Sequence, residues 1–296
     1  MKNILEECTL CPHKCKVNRL KGETGRCRAG KNVKIALVST HNFEEPCISD
    51  IHGSGTIFFS NCNLSCVFCQ NYKISQGNIG KEYSIEELAD IMLKQQKKGV
   101  NNINLVTPTI YAYQIIEAIK IAKERGLHIP IIYNSSGYES IETLKMLDGY
   151  IDIYLPDFKY VDDDVALKYS KIKDYFEYAS KAIKYMYEQV GNPKFDENGI
   201  IQKGLIIRHM ILPNNILQTK KVLNWVKENI GKEAYISIMA QYFPTNLADK
   251  YEKINRKINK IELKMVEKYL YDVGLENGYI QKLESCEEKY VPNFEE

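Results

Sequence analysis

Six apolar segments alternating with helical ones predict an α/β fold: an open (β/α)6 partial barrel with a cysteine-rich N-terminal extension and a C-terminal helix. Counted from Thr56, the strands are 56–60, 102–107, 129–134, 150–155, 204–212 and 234–240. Apolar strands separated by helices build a parallel sheet covered by those helices. Six units fall short of the eight that close a full barrel, so the sheet stays open. At 296 residues, 44% hydrophobic and 26% charged, the chain suffices for one core of that size. The expected division is a cysteine-rich extension with a metal-binding knuckle at 1–50, the partial barrel at 51–245 and a helical extension at 246–296.

Taken in order, Lys34–Ser39 reads as a short strand, followed by a polar loop, His41–Asp50, that carries Cys47. Gly53-Ser-Gly55 opens the first barrel strand, where glycine lets the backbone pass close to a neighbour. A phosphate-binding loop is the weaker reading, because no Gly-Lys-Ser/Thr follows. Ser84-Ile-Glu-Glu87 is a capping box ahead of Ile85, Leu88, Ile91 and Met92 on one face, and Gly99 ends that helix. The next helix, 111–125, turns Ile115, Ile116, Ile119 and Ala122 inward and stops at Gly126. A short helix spans 140–147. Asp162-Asp-Asp164 suits a helix N-terminus better than a metal site. From there Ile172, Phe176, Ala179, Ile183 and Met186 keep helical spacing up to Gly191. Residues 216–230 and about 254–273 are helical, the latter charged and amphipathic.

Two groups of cysteines stand out among nine. No signal-peptide apolar core precedes them, so reduced thiols and a cytoplasmic location are expected, which points to metal or catalysis. Cys8, Cys11, Cys15 and Cys27, interleaved with Pro12, Gly22 and Gly25, suit a knuckle whose turns aim four thiolates inward. Zinc and a [4Fe–4S] cluster fit that count alike; His13 could replace one cysteine but reads rather as a solvated loop side chain. Cys62-Asn-Leu-Ser-Cys66-Val-Phe-Cys69 has the spacing C-x3-C-x2-C. A [4Fe–4S] cluster normally takes four cysteines, so three leave one iron open to a small chelating ligand. Structural zinc prefers paired spacings that supply four ligands. Lys and Arg total 40 against 38 Asp and Glu, a formal charge of +2 that selects neither nucleic acid nor anionic membrane. No apolar run approaches the roughly 20 residues of a membrane span.

The C-x3-C-x2-C spacing, with Phe68 before its last cysteine, resembles the radical S-adenosylmethionine (SAM) superfamily. That resemblance implies a [4Fe–4S] cluster on Cys62, Cys66 and Cys69, its open iron chelated by the methionine moiety of SAM, and Phe68 near the adenine. Ligands in such sheets sit at the carboxyl ends of the strands. Those ends carry Thr107, Thr109, Asn134, Ser136, Asp157, Lys159 and Gln241, with Arg208 inside the fifth strand. Lys159 is a candidate partner for the SAM carboxylate, Thr107 and Asn134 for its amino group, and Arg208 for ribose or carboxylate. An unpaired charge on an apolar strand is costly, which singles out Arg208. Cys47 is a candidate hydrogen donor, or equally a small buried hydrophobe.

Asp157-Phe-Lys159 is similar to the Asp-Leu-Lys of the glycyl-radical-enzyme activating branch, which includes pyruvate formate-lyase activating enzymes. Ile207-Arg-His-Met-Ile-Leu-Pro213 looks like that branch's arginine-containing strand. With Glu44-Glu-Pro-Cys47, Asn102–Thr109 and Tyr154–Lys159, residues 8–285 resemble an uncharacterised family of homologues of those activators. The branch usually has Gly-Gly-Glu where this chain has Thr107-Pro-Thr109, often an acidic residue at Asn134, and often no four-cysteine extension. The resemblance therefore implies SAM cleavage but carries no substrate. It implies reductive cleavage to a 5′-deoxyadenosyl radical, hydrogen abstraction from a substrate, and an electron donor such as flavodoxin or ferredoxin. Activation of a glycyl radical enzyme is the first target reading. Modification of a peptide or small molecule is the alternative, and a non-catalytic zinc-binding module a distant one.

Overall fold

Strand sequence and strand position agree closely in the computed structural model, which describes residues 3–285, 292 and 294 and leaves Cys286 outside. The strands are β1 (Val33–His41), β2 (Ser54–Phe59), β3 (Lys81–Tyr83), β4 (Ile103–Val106), β5 (Ile131–Ser135), β6 (Ile153–Pro156), β7 (Lys194–Phe195), β8 (Ile201–Met210), β9 (Tyr235–Met239) and β10 (Gly278–Ile280). They lie in the order β10-β9-β8-β6-β5-β4-β2-β1-β3, with β7 folded back on β8. The six expected strands are β2, β4, β5, β6, β8 and β9, and each pairs in parallel with the next. All six residues of β2 are buried, as a strand covered on both faces requires.

Both edges extend beyond the six-strand reading. β1 runs antiparallel to β2 and β3 antiparallel to β1, while β10 adds a parallel strand beside β9. Three residues of β10 carry too little periodicity to be seen in the sequence. Its Gly278 has φ +127°, and a Cβ there would stand 1.9 Å from the Ile236 carbonyl oxygen, so only glycine lets the two strands meet.

The helices are α1 (Pro46–Ser49), α2 (Tyr72–Ser75), α3 (Ile85–Lys97), α4 (Ala112–Glu124), α5 (Ile141–Leu147), α6 (Asp163–Ser170), α7 (Tyr175–Val190), α8 (Ile216–Asn229) and α9 (Lys260–Asp272). The Ser84–Glu87 capping box is formed on both sides. Ile115, Ile116, Ile119 and Ala122 are buried on α4. Each such isoleucine contributes about 1.5–3 kcal/mol relative to exposure. Two expectations change. The single helical stretch 162–191 is broken at Lys171 and Asp174, both left-handed at φ +59° and +54°. The break leaves Ser170 free to face the three-cysteine loop. The last helix starts at Lys260 rather than near Ile254, because Asn259 and Glu262 form a second capping box there.

Candidate active site

The carboxyl ends of the parallel strands open into a cleft of about 660 Å³. Cys62, Cys66, Phe68, Cys69, Thr107, Asn134, Ser136, Asp157, Lys159, Arg208 and Gln241 all line it. Thr109 and Cys47 do not.

The loop from Cys62 to Cys69 leaves β2 and is anchored from outside the strand. Val67 N–H donates to the Tyr169 carbonyl at 2.8 Å, and Ser65 N–H to that of Ser170 at 3.2 Å. Gln76 and Asn246 amides both hold the Cys66 carbonyl. Each thiol has a polar neighbour: Leu64 N–H 3.3 Å from Cys62 Sγ, Ser170 Oγ 3.0 Å from Cys66 Sγ and Ser75 Oγ 3.3 Å from Cys69 Sγ. Burial pushes all three thiols up, Cys66 to about 11, while the nearby Lys159 charge acts the other way. Among the described residues no group of three His, Cys, Asp or Glu side chains is set around a single-ion position. A cubane asks for something else, one thiolate on each of three irons. Three free thiols bordering one cleft, each facing a hydrogen-bond donor, fit that group.

Opposite the thiols, Lys159 Nζ lies 2.5 Å from Asp157 Oδ2. Burial works against its charge, but Asp157 and Cys66 outweigh burial and keep the ammonium protonated. Lys159 is therefore ion-paired rather than free over the rim. Tyr175 fixes this turn: its hydroxyl accepts from Lys159 N–H at 2.9 Å and lies 2.8 Å from the Asp157 carbonyl and 3.0 Å from that of Ser136. Gly137 makes the approach possible, since a Cβ at its φ of +75° would meet the Asp157 carbonyl oxygen at 2.4 Å. Thr107 has φ +61°, an outlier for a β-branched residue, and its N–H reaches the Asn134 carbonyl at 2.9 Å. Gln241 shares side-chain hydrogen bonds with Gln70 and Gln281 at the rim. Phe68 packs edge-on against Tyr242.

Arg208 is not the unpaired charge its strand suggested. Its Nε donates to Glu45 Oε1 at 2.8 Å, and Nη2 bonds both Glu44 and Glu45. Asn104 Nδ2 donates to the other Glu44 oxygen at 3.0 Å. Burial pushes the Glu45 carboxyl up, yet the Arg208 charge and its hydrogen bonds hold it below its ordinary value. One guanidinium against two carboxylates leaves this wall of the cleft net negative, with Arg208 already engaged. Cys47 lies next to it in α1, packed with Ile48, Ile132, Ile153 and Leu155. Burial pushes its thiol to about 11, and the Tyr279 hydroxyl and the Glu45 and Arg208 charges also act on it.

Thr109 is buried away from the cleft and donates to Glu139 Oε1 at 2.6 Å, while Tyr133 donates to Oε2 at 3.2 Å. Burial raises the Glu139 carboxyl to about 7, and those hydrogen bonds only partly oppose it. The folded state thus holds a proton that the unfolded chain releases near pH 4.3. Its contribution is present at low pH and declines as pH rises from there through about 7. Glu139→Gln is expected to match the wild type near pH 5 and to exceed it by on the order of 2–3 kcal/mol at pH 8. Urea unfolding at the two pH values checks this; equal pH dependence in both proteins would refute it.

The amino-terminal thiols of Cys8, Cys11, Cys15 and Cys27 border one small cavity with His13 and Arg19. His13 is half-buried rather than a freely solvated loop side chain. Its Nε2 is 2.8 Å from the Asn63 carbonyl, between Cys62 and Leu64, and its ring meets Tyr138 edge-on. Tyr175, Ser170 and Ser75 escaped the sequence reading, because a lone Tyr or Ser in a helix has no marker in the chain, and so did Glu139, a lone carboxylate in a loop. Glu44 and Glu45 had only a weak one, two adjacent carboxylates in a polar loop.

Comparison with known proteins agrees with this geometry. The sequence pattern of the radical SAM superfamily matches residues 56–226. An uncharacterized protein of Methanocaldococcus jannaschii is 32% identical over 92% of this chain and 78% of its own. The pyruvate formate-lyase-activating enzyme of Clostridium pasteurianum is 27% identical over 79% of this chain and 97% of its own. The fold is similar to that of Streptococcus suis SuiB bound to SAM, with TM-score 0.53 and 17% identity over 75% of this chain. The matched part is 48% of SuiB, so this chain spans about half of that neighbour. A pattern covering more than half of the chain, with its three cysteines on the cleft, settles the family: the chain belongs to the radical SAM superfamily.

Proposed function

We propose that the cleft binds SAM against a [4Fe–4S] cluster on Cys62, Cys66 and Cys69, cleaves it reductively and abstracts hydrogen from a substrate. The observation that carries this reading is the placement of three free thiols and the Asp157–Lys159 pair on one cleft. When bound, the cluster supplies one electron and SAM the 5′-deoxyadenosyl radical. The chain's own residues bind and orient. Lys159 offers its remaining N–H donors to the SAM carboxylate, Asn134 and Thr107 face the amino group, and Phe68 offers a ring edge for the adenine. The reading includes a second metal centre on Cys8, Cys11, Cys15 and Cys27, and an electron donor of the flavodoxin or ferredoxin class. Anaerobic reconstitution with iron, sulfide, reductant and SAM should yield 5′-deoxyadenosine; a colourless protein holding zinc at the barrel loop would refute the reading.

Activation of a glycyl radical enzyme is the first target reading, supported by the similarity along nearly the full Clostridium activating enzyme. Thr107-Pro-Thr109 in place of Gly-Gly-Glu favours the second, modification of a peptide or small molecule. SuiB, whose structure includes its precursor peptide SuiA, is a protein of similar fold. A glycyl-radical EPR signal in a partner protein would decide for the first. No helix among the described residues is long and apolar enough to cross a membrane.

Lys159→Ala tests the ligand's placement. A charge-assisted hydrogen bond contributes roughly 1.5–3 kcal/mol, so SAM affinity should fall by about one to two decades. The cluster's visible absorption should not change. Lys159→Arg should recover only part, since a guanidinium fork differs from a point charge. Unchanged affinity in Lys159→Ala would move the ligand elsewhere.

A further inference from the structure

Arg19 is 1% exposed, and its hydrogen-bond partners among the described residues include no carboxylate. Its Nε donates to the Gly30 carbonyl at 2.8 Å and its Nη1 to that of Ile110 at 2.7 Å. Nη1 also points at Cys8 Sγ, 3.9 Å away. Nη2 is buried and, among the described residues, has no hydrogen-bond partner. The Tyr111 ring, its centroid 5.7 Å from the guanidinium carbon, adds a weak cation–π contact. Arginine does not deprotonate in proteins, so this is a buried cation with neutral partners, an arrangement that is costly. The cavity it borders is walled by Cys8, Cys11, Cys15 and Cys27.

We propose that these four cysteines bind a thiophilic metal centre as a dianion, and that Arg19 is its buried counter-charge and hydrogen-bond donor at Cys8. The inference rests on the second-centre reading above. Loading converts four S–H groups to thiolates and releases their protons to solvent, with no change of oxidation state. Four thiolates around a doubly charged [4Fe–4S] core leave a net charge of two minus. One zinc ion would leave the same charge but would need the four thiols to draw together, since no three of them surround a single-ion position as they stand. Either compensates the guanidinium, and a Cys8 thiolate is a stronger acceptor than a thiol for the Nη1 donor that faces it. Outer-shell partners of this kind orient ligands and tune affinity.

The centre then has a structural consequence for the active site. The Leu10 carbonyl accepts from Ser140 and Thr143 hydroxyls, Arg19 holds the Ile110 carbonyl, and His13 is bonded to the Asn63 carbonyl. Metal binding closes residues 8–27 into one unit. That unit pins the start of the Cys62–Cys69 loop and the segments after β4 and β5.

The test uses the full chain with Cys62, Cys66 and Cys69 all changed to Ser, so that the amino-terminal group is the remaining multi-thiol site. Elemental analysis after anaerobic reconstitution should find stoichiometric zinc or iron; which one identifies the metal. In that background, Arg19→Met should surrender the metal to a chelator about 10–100-fold more readily. Arg19→Lys, which keeps the charge without the planar fork, should fall between. If Arg19→Met is insoluble, the Arg19→Lys comparison decides. Absence of both metals from the triple variant would refute the second centre itself. Metal held as tightly by Arg19→Met and Arg19→Lys as by arginine would refute the counter-charge role with the centre intact.

Discussion

Cys66→Ala is expected to release no 5′-deoxyadenosine above background when supplied with reductant and SAM. Cys66 is the middle thiol of the loop, 9% exposed, with Ser170 Oγ 3.0 Å from its sulfur. Its replacement leaves Cys62 and Cys69, and two ligands cannot hold a cubane that normally takes four in a defined orientation. The loop itself should persist. Its anchors are backbone bonds from Ser65 and Val67 and side-chain bonds to the Cys66 carbonyl, none of which involves the thiol. Far-UV circular dichroism should therefore match the wild type while iron at this loop and product both fall to background. Wild-type levels of 5′-deoxyadenosine from Cys66→Ala would overturn the assignment of the cluster to this loop. Cys47→Ala, by contrast, removes a thiol packed among isoleucines and should leave SAM cleavage intact.

Arg208→Met is expected to cost about 3–5 kcal/mol of stability at neutral pH. Breaking a buried ion pair by removing one partner strands the other charge. Here two would be stranded, since Arg208 bonds both Glu44 and Glu45. The pH dependence gives the cause away. In the wild type the Glu45 carboxyl sits below its ordinary value because Arg208 outweighs burial. That contribution is present above about pH 4.3, the unfolded carboxylate value, and is lost as pH falls below it. Without Arg208, burial and the neighbouring carboxylate raise the Glu45 carboxyl above the unfolded value. Stability of the variant should then decline as pH rises from about 4.3 upward, so the gap to wild type is small at pH 4.5 and widest near pH 8. Adding Glu44→Gln and Glu45→Gln to Arg208→Met should recover most of the loss. A gap independent of pH would mean that Arg208 acts through packing alone.

The parallel-strand series and the three-cysteine loop were legible in the chain because each rests on local information. Apolar strands such as Ile103–Val106 and Ile153–Pro156 are buried wherever helices cover both faces. The spacing of Cys62, Cys66 and Cys69 sets three soft ligands within one loop whatever the rest of the fold does. Strand ends fall on one rim once the sheet is parallel, which is why Asn134, Asp157 and Lys159 met there. Partners were another matter. Nothing local to Arg208 says that Glu44 and Glu45, more than 160 residues away, would neutralise it. The same holds for Tyr175 at the Asp157 turn, for His13 against Asn63 and for Thr109, which turned from the rim to Glu139. A residue's type and periodicity determine whether it goes inside. Which charge or hydroxyl it meets there depends on contacts between distant segments, because a buried polar group takes whatever donor or acceptor the packed fold brings within hydrogen-bond distance.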